Sequence, residues 1–349
     1  MPGKRVIFVG PVPVGTGHPV VIQSMTKTAP EDVQGTLDQI SRLQAAGCQL
    51  IRVALPAAEN IKSFRAVVSA SPLPVIADIH FDHRLALAAM EAGAAAVRIN
   101  PGNIGSRSKV RDILGLAAEK GVALRIGVNS GSLEKKHQNP QKTLAEQLTA
   151  SLLDHVRFCE DCGFFNLKLS IKTTTVRDTI AVYQHLDRLL PYPLHLGLTE
   201  AGPFLPGTVK SVLALGNLLM QGIGDTIRVS LTADPLQEVL VARELLKALG
   251  LHKEDLEIIS CPTCARTSVD LLAKVEEFQA RAAGLKPPRP LRVAIMGCEV
   301  NGPGEAAHAD IGLAFSRSRG FLFRKGQIVG QVAPEKAVEE LLVLVMKGE

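Results

Sequence analysis

EAGAAAVRINPGN, at residues 91–103, contains the end of a helix, a glycine and a short apolar strand interrupted by Arg98. The glycine suits the left-handed backbone position that commonly ends a helix. The same order recurs elsewhere in the chain, as AAGCQLIRVAL (45–55), EKGVALRIGVNSG (119–131), DCGFFNLKLSIK (161–172) and GIGDTIRVSLT (222–232). A repeated helix, glycine and apolar strand predicts a parallel sheet covered by helices.

Three further stretches, VVIQSMT, PVIADIHF and PLHLGLTEAG, also have the composition of strands. Together the sequence predicts strands near 20–26, 50–55, 74–80, 95–100, 123–128, 165–171, 193–199 and 226–231. Eight parallel strands alternating with helices close into a (β/α)8 barrel. An open doubly wound sheet is the alternative, but no glycine-rich dinucleotide fingerprint follows any strand. We therefore expect a TIM barrel over residues 1–250.

The pattern changes after residue 250. Strands are predicted at 256–260 and 291–296, on either side of a helix at 268–283 and the proline-rich break GLKPPRP. Short strands near 310–315, 320–325 and 327–332 and a helix at 334–347 follow. This order predicts a separate, small α+β domain over residues 251–349.

The composition is that of a globular, cytoplasmic protein. The first residues, MPGKRVIFVGPVPVG, hold too short an apolar run for a signal peptide, and no apolar span reaches the ~18–20 residues that cross a membrane. Six cysteines in 349 residues are too few for a disulfide scaffold. The net charge of +5 is spread singly and aromatic residues are 4% of the chain, so we expect no nucleic-acid partner.

One basic residue interrupts each of five predicted strands: Arg52, Arg98, Arg125, Lys168 and Arg228. A single buried cation is most simply a structural ion pair. Five cations at corresponding positions instead predict a site for a highly anionic, phosphate-bearing ligand at the C-terminal mouth of the barrel.

Polar residues that end strands at the same mouth complete this candidate site. Asp78, His80 and Glu200 are either partners of the arginines or the available acid–base groups. Neutral hydrogen-bonding groups come from Asn100, Asn129 and Ser230. We expect these side chains to surround the anion.

The cysteines divide into two groups. Cys48 and Cys162 lie in the helix-to-strand turns of the repeat, and Cys159 lies one helical turn before Cys162. All three are expected to be buried apolar fillers. SCPTCARTSVDL (260–271) contains Cys261 and Cys264, and MGCEVNGPGEA contains Cys298.

Three thiols in one small domain leave several chemistries open. A redox pair, a zinc site completed by His308, and an iron–sulfur cluster with one weaker ligand all fit a Cys-x-x-Cys. The turn NGPGE would bring backbone amides and the Glu305 carboxylate near a cluster.

SCPTCAR, GCEVNGPGE, IADIHF and RINPGN together resemble the bacterial (E)-4-hydroxy-3-methylbut-2-enyl diphosphate synthases of the non-mevalonate isoprenoid pathway. The resemblance runs from PVVIQSMT to GLAF, nearly the whole chain. It implies a 4Fe–4S cluster held by Cys261, Cys264, Cys298 and Glu305. It also implies reductive opening and dehydration of 2-C-methyl-D-erythritol 2,4-cyclodiphosphate, with two electrons from ferredoxin or flavodoxin.

The resemblance also implies roles for the residues of the mouth. The five strand cations would clamp the cyclic diphosphate, since arginine forks suit its oxygens. Substrate positioning or proton transfer would fall to Asp78, His80, Asn100, Asn129, Glu200, Ser230 and Asn301. Two rival functions remain: a pterin- or corrinoid-type methyltransferase barrel with a zinc-clipped domain, and a binding protein with a structural metal.

The path of the chain predicts an oligomer. The eighth strand ends near Thr232, and a helix at 234–249 then descends roughly 24 Å to the bottom of the barrel. Only LGLHKEDLEIIS separates that point from Cys261, so a partner's mouth is easier to reach than the chain's own. We expect a head-to-tail homodimer with active sites shared between chains, as the resemblance also implies.

Overall fold

The computed structural model describes residues 4–129, 133, 137–252, 256–299, 304 and 306–348. The chain divides into two compact units, Met1–His252 and Lys253–Glu349. In the part of the chain that is described, no helix is long and apolar enough to cross a membrane.

The first unit is a barrel of parallel strands. Two short hairpin strands come first, β1 (Ile7–Val9) and β2 (Val12–Val14). The barrel strands are β3 (Val21–Met25), β4 (Leu50–Ala54), β5 (Val75–Asp78), β6 (Ala96–Ile99), β7 (Ala123–Asn129), β8 (Leu167–Lys172), β9 (His195–Leu196) and β10 (Thr226–Ile227). Neighbours follow the order β8-β7-β6-β5-β4-β3-β10-β9. A parallel bridge between Leu169 and Leu194 then links the two ends of this sheet. The predicted TIM barrel is confirmed.

Helices cover the outside of the barrel. They are α1 (Val33–Ala45), α2 (Ile61–Ala70), α3 (His83–Glu91), α4 (Pro101–Ile104), α5 (Arg107–Lys120), α6 (Leu144–Asp161), α7 (Val176–Leu189), α8 (Phe204–Met220) and α9 (Pro235–Ala248). Side chains start several of them: Asp32 accepts a hydrogen bond from the Gly35 amide, and Thr143 and Glu146 cap each other's backbone. The five repeat glycines all have positive φ, as predicted: Gly47, Gly93, Gly121, Gly163 and Gly224.

The hairpin β1–β2 was not predicted. Its two antiparallel strands pack three apolar side chains against the first inward-facing residues of the barrel strands. The hairpin residues are Ile7, Val9 and Val14, and the barrel residues include Val21, Leu50, Ile76, Ala96 and Ala123. The hairpin therefore closes the N-terminal end of the barrel, away from the mouth.

The second unit is a five-stranded sheet with two helices. Its elements are β11 (Leu256–Ser260), α10 (Leu271–Ala282), β12 (Leu291–Met296), β13 (Ile311–Phe315), β14 (Gly320–Arg324), β15 (Gln327–Val332) and α11 (Ala337–Lys347). The sheet follows chain order; β11, β12 and β13 are parallel, and β14 and β15 continue antiparallel. The helix predicted from 268 begins later because Asp270 caps it, accepting a hydrogen bond from the Ala273 amide.

Candidate functional site

A layer of charged side chains fills the interior of the barrel. Alternation along the strands points every second residue inward, and the register aligns Asp78 with Arg98, Arg98 with Arg125, and Arg125 with Lys168. These four residues and Arg52 are each at most 5% exposed. The layer lies below the rim, since Arg125 and Lys168 precede the ends of β7 and β8 by four residues.

Asp78 is the carboxylate that this layer shares. Its Oδ2 lies 3.6 Å from Arg52 Nε and 3.5 Å from His80 Nε2, and its Oδ1 lies 3.4 Å from Arg98 Nη1. Burial alone would raise the pKa of Asp78, but Arg52, His80 and Arg98 together lower it well below its usual value. Asp78 is therefore ionised and orients both arginines.

The Asp78 carboxylate is close to Arg52 and Arg98 only, so much of the positive charge of the layer has no carboxylate partner. Arg125 donates from Nε to Ser170 Oγ at 3.0 Å. Among the five strand cations, the buried donor atoms without a hydrogen-bond partner in the described structure are Arg52 Nη1, Arg98 Nε, Arg125 Nη1 and Nη2, Lys168 Nζ and Arg228 Nε. Such groups are costly to bury unless an acceptor completes them. The arrangement fits an anion with several oxygens bound among them.

Burial, and then repulsion between the cations, perturbs the pKa values of this layer. Burial, and then Arg125, lowers the pKa of Lys168 to about 7. Burial, and then Arg52, lowers the pKa of Arg228 to about 10, although the Glu238 carboxylate 3.7 Å away opposes that shift. Burial followed by Arg52 and Arg98 also lowers the pKa of Arg125 well below its usual value. A bound anion would reverse these effects.

Lys172 is a member of this cluster that the sequence analysis missed. It is the last residue of β8 and pairs in register with Asn129 at the end of β7, so both lie at the rim. Burial and then the arginines, Arg52 first, lower its pKa well below the usual value. The signal was present in the sequence, because positions 168, 170 and 172 share one face of a strand.

His195 was also missed. It lies on β9 and is buried, and its Nδ1 is 2.7 Å from Thr226 Oγ1. Burial, followed by Arg125 and Lys168, lowers its pKa well below the usual value. The imidazole is therefore neutral and adds no further positive charge to the layer.

The remaining predicted residues of the barrel are distributed around the rim. The side chain of His80 is about half exposed, and Glu200 is exposed with a φ of 55°. A non-glycine residue in that region costs about 1–3 kcal/mol, so the surrounding loop holds Glu200 in place. Asn100 is buried and its Oδ1 accepts a hydrogen bond from the Gly102 amide, which starts α4. Ser230 follows β10 and is half-buried.

Two of the second unit's three cysteines lie at the C-terminal ends of neighbouring strands of its sheet. Cys261 directly follows β11, and Cys298 follows the neighbouring parallel strand β12. The Gly297 amide donates to Cys261 Sγ at 3.4 Å, and the Ser268 amide donates to the Gly297 carbonyl at 3.0 Å. Backbone hydrogen bonds therefore tie the two cysteine segments together.

Cys264 lies on the exposed loop between them. Its amide donates to Thr267 Oγ1 at 3.1 Å, and the preceding Thr263 has a positive φ of 60°. Glycine is required at 297 for close packing, because a Cβ there would lie 2.8 Å from Thr267 Cγ2. Asn301 and Glu305 lie outside the described residues.

The donor set fits an iron–sulfur cluster. All three thiols are free, and a backbone N–H bonded to a ligating sulfur is a typical feature of such sites. Within the described ranges, however, no three His, Cys, Asp or Glu side chains are gathered closely enough to hold a metal ion. Strand ends position Cys261 and Cys298, whereas Cys264, on its exposed loop, would have to close around the group.

The other three cysteines belong to the first unit. Cys48 and Cys159 are buried in the barrel core, and burial raises the pKa of each thiol to about 12. Cys162 is half-buried and packs against the same core. These thiols act as small apolar side chains.

Known proteins resemble this chain over nearly its full length. A 4-hydroxy-3-methylbut-2-en-1-yl diphosphate synthase (flavodoxin) from Lawsonia intracellularis is 48% identical over 332 residues, covering 94% of this chain and 91% of that protein. Proteins of the same name from Salinispora arenicola and Geobacter sulfurreducens are 50% and 48% identical, each covering 97% of this chain and 87% and 96% of their own lengths.

Among solved structures, the barrel resembles the dihydropteroate synthase of Yersinia pestis. The TM-score is 0.53 with 15% identity, covering 70% of this chain and 98% of that one. This similarity shows the fold alone. By contrast, the model of the GcpE TIM-barrel domain matches residues 4–243, and that of the GcpE protein C-terminal domain matches residues 257–347. Since these matches and the 48–50% identical relatives span almost every residue, the chain belongs to the GcpE family.

Proposed function

We propose that this chain is a 4-hydroxy-3-methylbut-2-en-1-yl diphosphate synthase, the activity for which its relatives are named. The substrate would be 2-C-methyl-D-erythritol 2,4-cyclodiphosphate, which takes up two electrons and two protons, opens at one C–O bond to phosphate and releases one water. The observation that carries this proposal is the layer of buried cations around one carboxylate, with unpaired donors on Arg52, Arg98 and Arg125.

The barrel would bind and orient the substrate. Its five strand cations, Arg52, Arg98, Arg125, Lys168 and Arg228, would donate to the diphosphate oxygens, and we add Lys172 because it lies at the rim of the same cluster. Fixed donors aimed at an anion in a site of low dielectric also stabilise charge that develops on the leaving phosphate. Asp78 holds Arg52 and Arg98 in place, and it would contribute to substrate binding by orienting these two side chains.

Proton transfer and orientation would fall to residues at the rim. His80 is half exposed beside the ionised Asp78, and Glu200 is held in a strained conformation at the mouth, so both can reach a bound ligand. Hydrogen bonds to the substrate's hydroxyl groups would come from Asn100, Asn129, Ser230 and Asn301.

The second unit would hold a 4Fe–4S cluster on Cys261, Cys264, Cys298 and Glu305. When bound, such a group would supply one-electron transfer chemistry next to the substrate. The donor would be flavodoxin, as in the relatives' name, or ferredoxin, and the enzyme would act in the cytoplasm. The Gly297 amide would tune the cluster through its bond to Cys261 Sγ.

Metal analysis of anaerobically purified protein, combined with turnover of the cyclic diphosphate by reduced flavodoxin, tests this function. We expect about four irons and matching sulfide per chain, and a diphosphate product. Cys48→Ser should retain both properties. Stoichiometric zinc without sulfide, and no turnover, would instead favour the methyltransferase or binding-protein alternatives.

We also propose that the active sites are shared across a homodimer. Mixed dimers of an Arg125→Ala chain and a Cys298→Ser chain would contain one intact site, so activity should return to about half of the wild-type value per dimer. The control pairs a doubly substituted chain with wild type. Activity in that control together with inactive mixed dimers would show that each site belongs to a single chain.

A further inference from the structure

The barrel wall has a short ladder between β3 and β10, beside the candidate anion site. In the described structure these two strands pair at only two positions, the second of which joins Ile22 to Ile227. Strand β3 continues to Met25, but the chain that follows β10 is no longer paired with it. That stretch carries Arg228 and Ser230, two residues of the candidate site. On the β3 side, their position therefore depends on contacts other than a backbone ladder.

Lys27 provides such contacts. It lies two residues beyond the end of β3, and its amide donates to Gln39 Oε1 on α1 at 2.8 Å. Its ammonium donates to the carbonyl oxygens of Leu231 and Ala233, at 3.0 and 2.6 Å. A third hydrogen bond, of 2.9 Å, goes to Glu238 Oε1. All three donors of the ammonium are thus used to hold segments that follow β10.

Glu238 holds the same stretch from α9. It lies in the first turn of that helix and is only 2% exposed. Its Oε1 also accepts a hydrogen bond from the Leu231 amide at 3.0 Å, and its Oε2 lies 3.7 Å from Arg228 Nη2. A carboxylate is costly to bury unless donors and opposite charges meet it. Here Lys27, the Leu231 amide and Arg228 meet it.

This Lys27–Glu238 clamp acts on both the backbone and a side chain of the candidate site. Ser230 directly precedes Leu231, whose amide and carbonyl are both bound by the clamp. The guanidinium of Arg228 faces the Glu238 carboxylate, while its Nε is buried without a hydrogen-bond partner among the described residues. Arg228 is therefore held from one side and keeps a donor for a ligand.

We propose that Lys27 and Glu238 are positioning residues that fix Arg228 and Ser230 for binding of the diphosphate. The inference rests on the proposed function, which supplies that anion, and adds two residues that act through the chain after β10. A stretch that is already ordered loses little conformational freedom when the ligand binds, so the clamp would raise affinity.

A purely electrostatic role of the same pair makes a different prediction. Removing the Lys27 ammonium would lower the positive potential near the anion, while removing the Glu238 charge would raise it, so the two substitutions would change affinity in opposite directions. In a positioning role, both substitutions weaken binding. Their combination, which leaves the net charge unchanged, should then weaken binding about as much as either one, because the two residues act as one unit.

Lys27→Met, Glu238→Gln and the double variant separate these roles. Isothermal titration with the cyclic diphosphate should show an affinity about 5- to 20-fold lower in each variant. Without any ligand, amide hydrogen exchange of residues 228–233 should be about tenfold faster in Lys27→Met and in the double variant. Glu244→Gln is the matched control, because Glu244 is an exposed carboxylate of α9 paired with Lys247. It should keep the wild-type affinity and exchange.

Several outcomes would overturn the inference. Tighter binding by Glu238→Gln, or wild-type affinity of the double variant, would make the pair a structural ion pair and leave the proposed function standing, since wild type still binds. Unchanged exchange of residues 228–233 in Lys27→Met would overturn it without reference to a ligand, and this variant should fold because the Lys27 side chain is 36% exposed. Absence of binding by wild type would overturn the proposed function and this inference together.

Discussion

The cation layer of the barrel and the thiol-bearing edge of the second unit differ in what holds their side chains in place. Arg98, Arg125 and Lys168 project from central strands whose backbones are fixed by neighbours on both sides. Cys261 and Cys298 begin loops at strand ends, and Cys264 lies on an exposed loop.

This difference indicates two ways of building a site. The barrel positions its charges before any ligand arrives, so the folded protein carries unpaired buried cations that an anion would neutralise. The thiols are only partly positioned by the fold, and a bound group would supply the remaining order. Removing the ligand should therefore disturb the second site and relax the first very little.

Removal of iron should produce the largest structural effect. Chelation under anaerobic conditions should abolish activity and increase amide hydrogen exchange in the cysteine segments around Cys264 and Cys298, because the cluster crosslinks them. Exchange in β5 to β8 should stay unchanged, since ladder bonds hold those strands. Hydrogen exchange with mass spectrometry measures both regions together, and equal loss of protection in the barrel would contradict the distinction.

Arg125→Met should weaken substrate binding and at the same time stabilise the ligand-free protein. Substrate affinity should fall by about 100- to 1000-fold, because a desolvated guanidinium with two free donors is lost. The ligand-free protein should become more stable by about 1–3 kcal/mol, since a buried cation repelled by Arg52 and Arg98 is replaced by an apolar side chain. Calorimetry and urea unfolding measure the two quantities. A less stable ligand-free variant would mean that Arg125 is a structural residue.

The two lysines of β8 form a matched pair. Lys172 lies at the rim and Lys168 lies about 13 Å deeper along the strand. Because the unpaired donors lie in the layer, at the depth of Arg125, Lys168→Met should weaken binding by about 10- to 50-fold, and Lys172→Met by less than about fivefold. Binding constants of both variants test this, and the reverse order would place the diphosphate at the rim.

The smallest expected effect is a dependence of affinity on pH. The pKa of Lys168 is lowered to about 7, so the ammonium is present below that pH and is lost as pH rises through it. Each phosphorus of the cyclic diphosphate bears one strongly acidic oxygen, so the ligand's charge stays constant between about pH 6 and about pH 9. Affinity should fall two- to fivefold across about pH 7. Lys168→Met should flatten this profile, and an unchanged slope would assign it to another group.

The sequence predicted the eight barrel strands because each is a short apolar run, and five of them follow a helix-ending glycine. It revealed Arg52, Arg98 and Arg125 because a cation within such a run is conspicuous. Lys172 was overlooked because a polar residue directly after a predicted strand looks like the start of a loop, whereas His195 is a single histidine within the strand predicted at 193–199. Only the register shows that Lys172 lies beside Asn129 and that His195 is buried next to Thr226.

Other features depend on tertiary structure. The hairpin β1–β2 has strands of three residues, too short for alternation to be recognised. Helix α8 is apolar all round, a pattern that in sequence predicts a buried helix, yet its Leu205, Leu213 and Met220 are exposed. The roles of Asn301 and Glu305 rest on the sequence alone, since both lie outside the described residues.

The central claim is that the barrel cations bind the substrate while the thiols hold the cluster. Isothermal titration with the cyclic diphosphate, using Cys298→Ser and Arg125→Met side by side, tests it most directly. We predict that Cys298→Ser lacks the cluster absorbance yet binds the substrate within about tenfold of wild type, while Arg125→Met keeps the absorbance and loses binding. Loss of binding in Cys298→Ser, or normal binding in Arg125→Met, would contradict this division of labour.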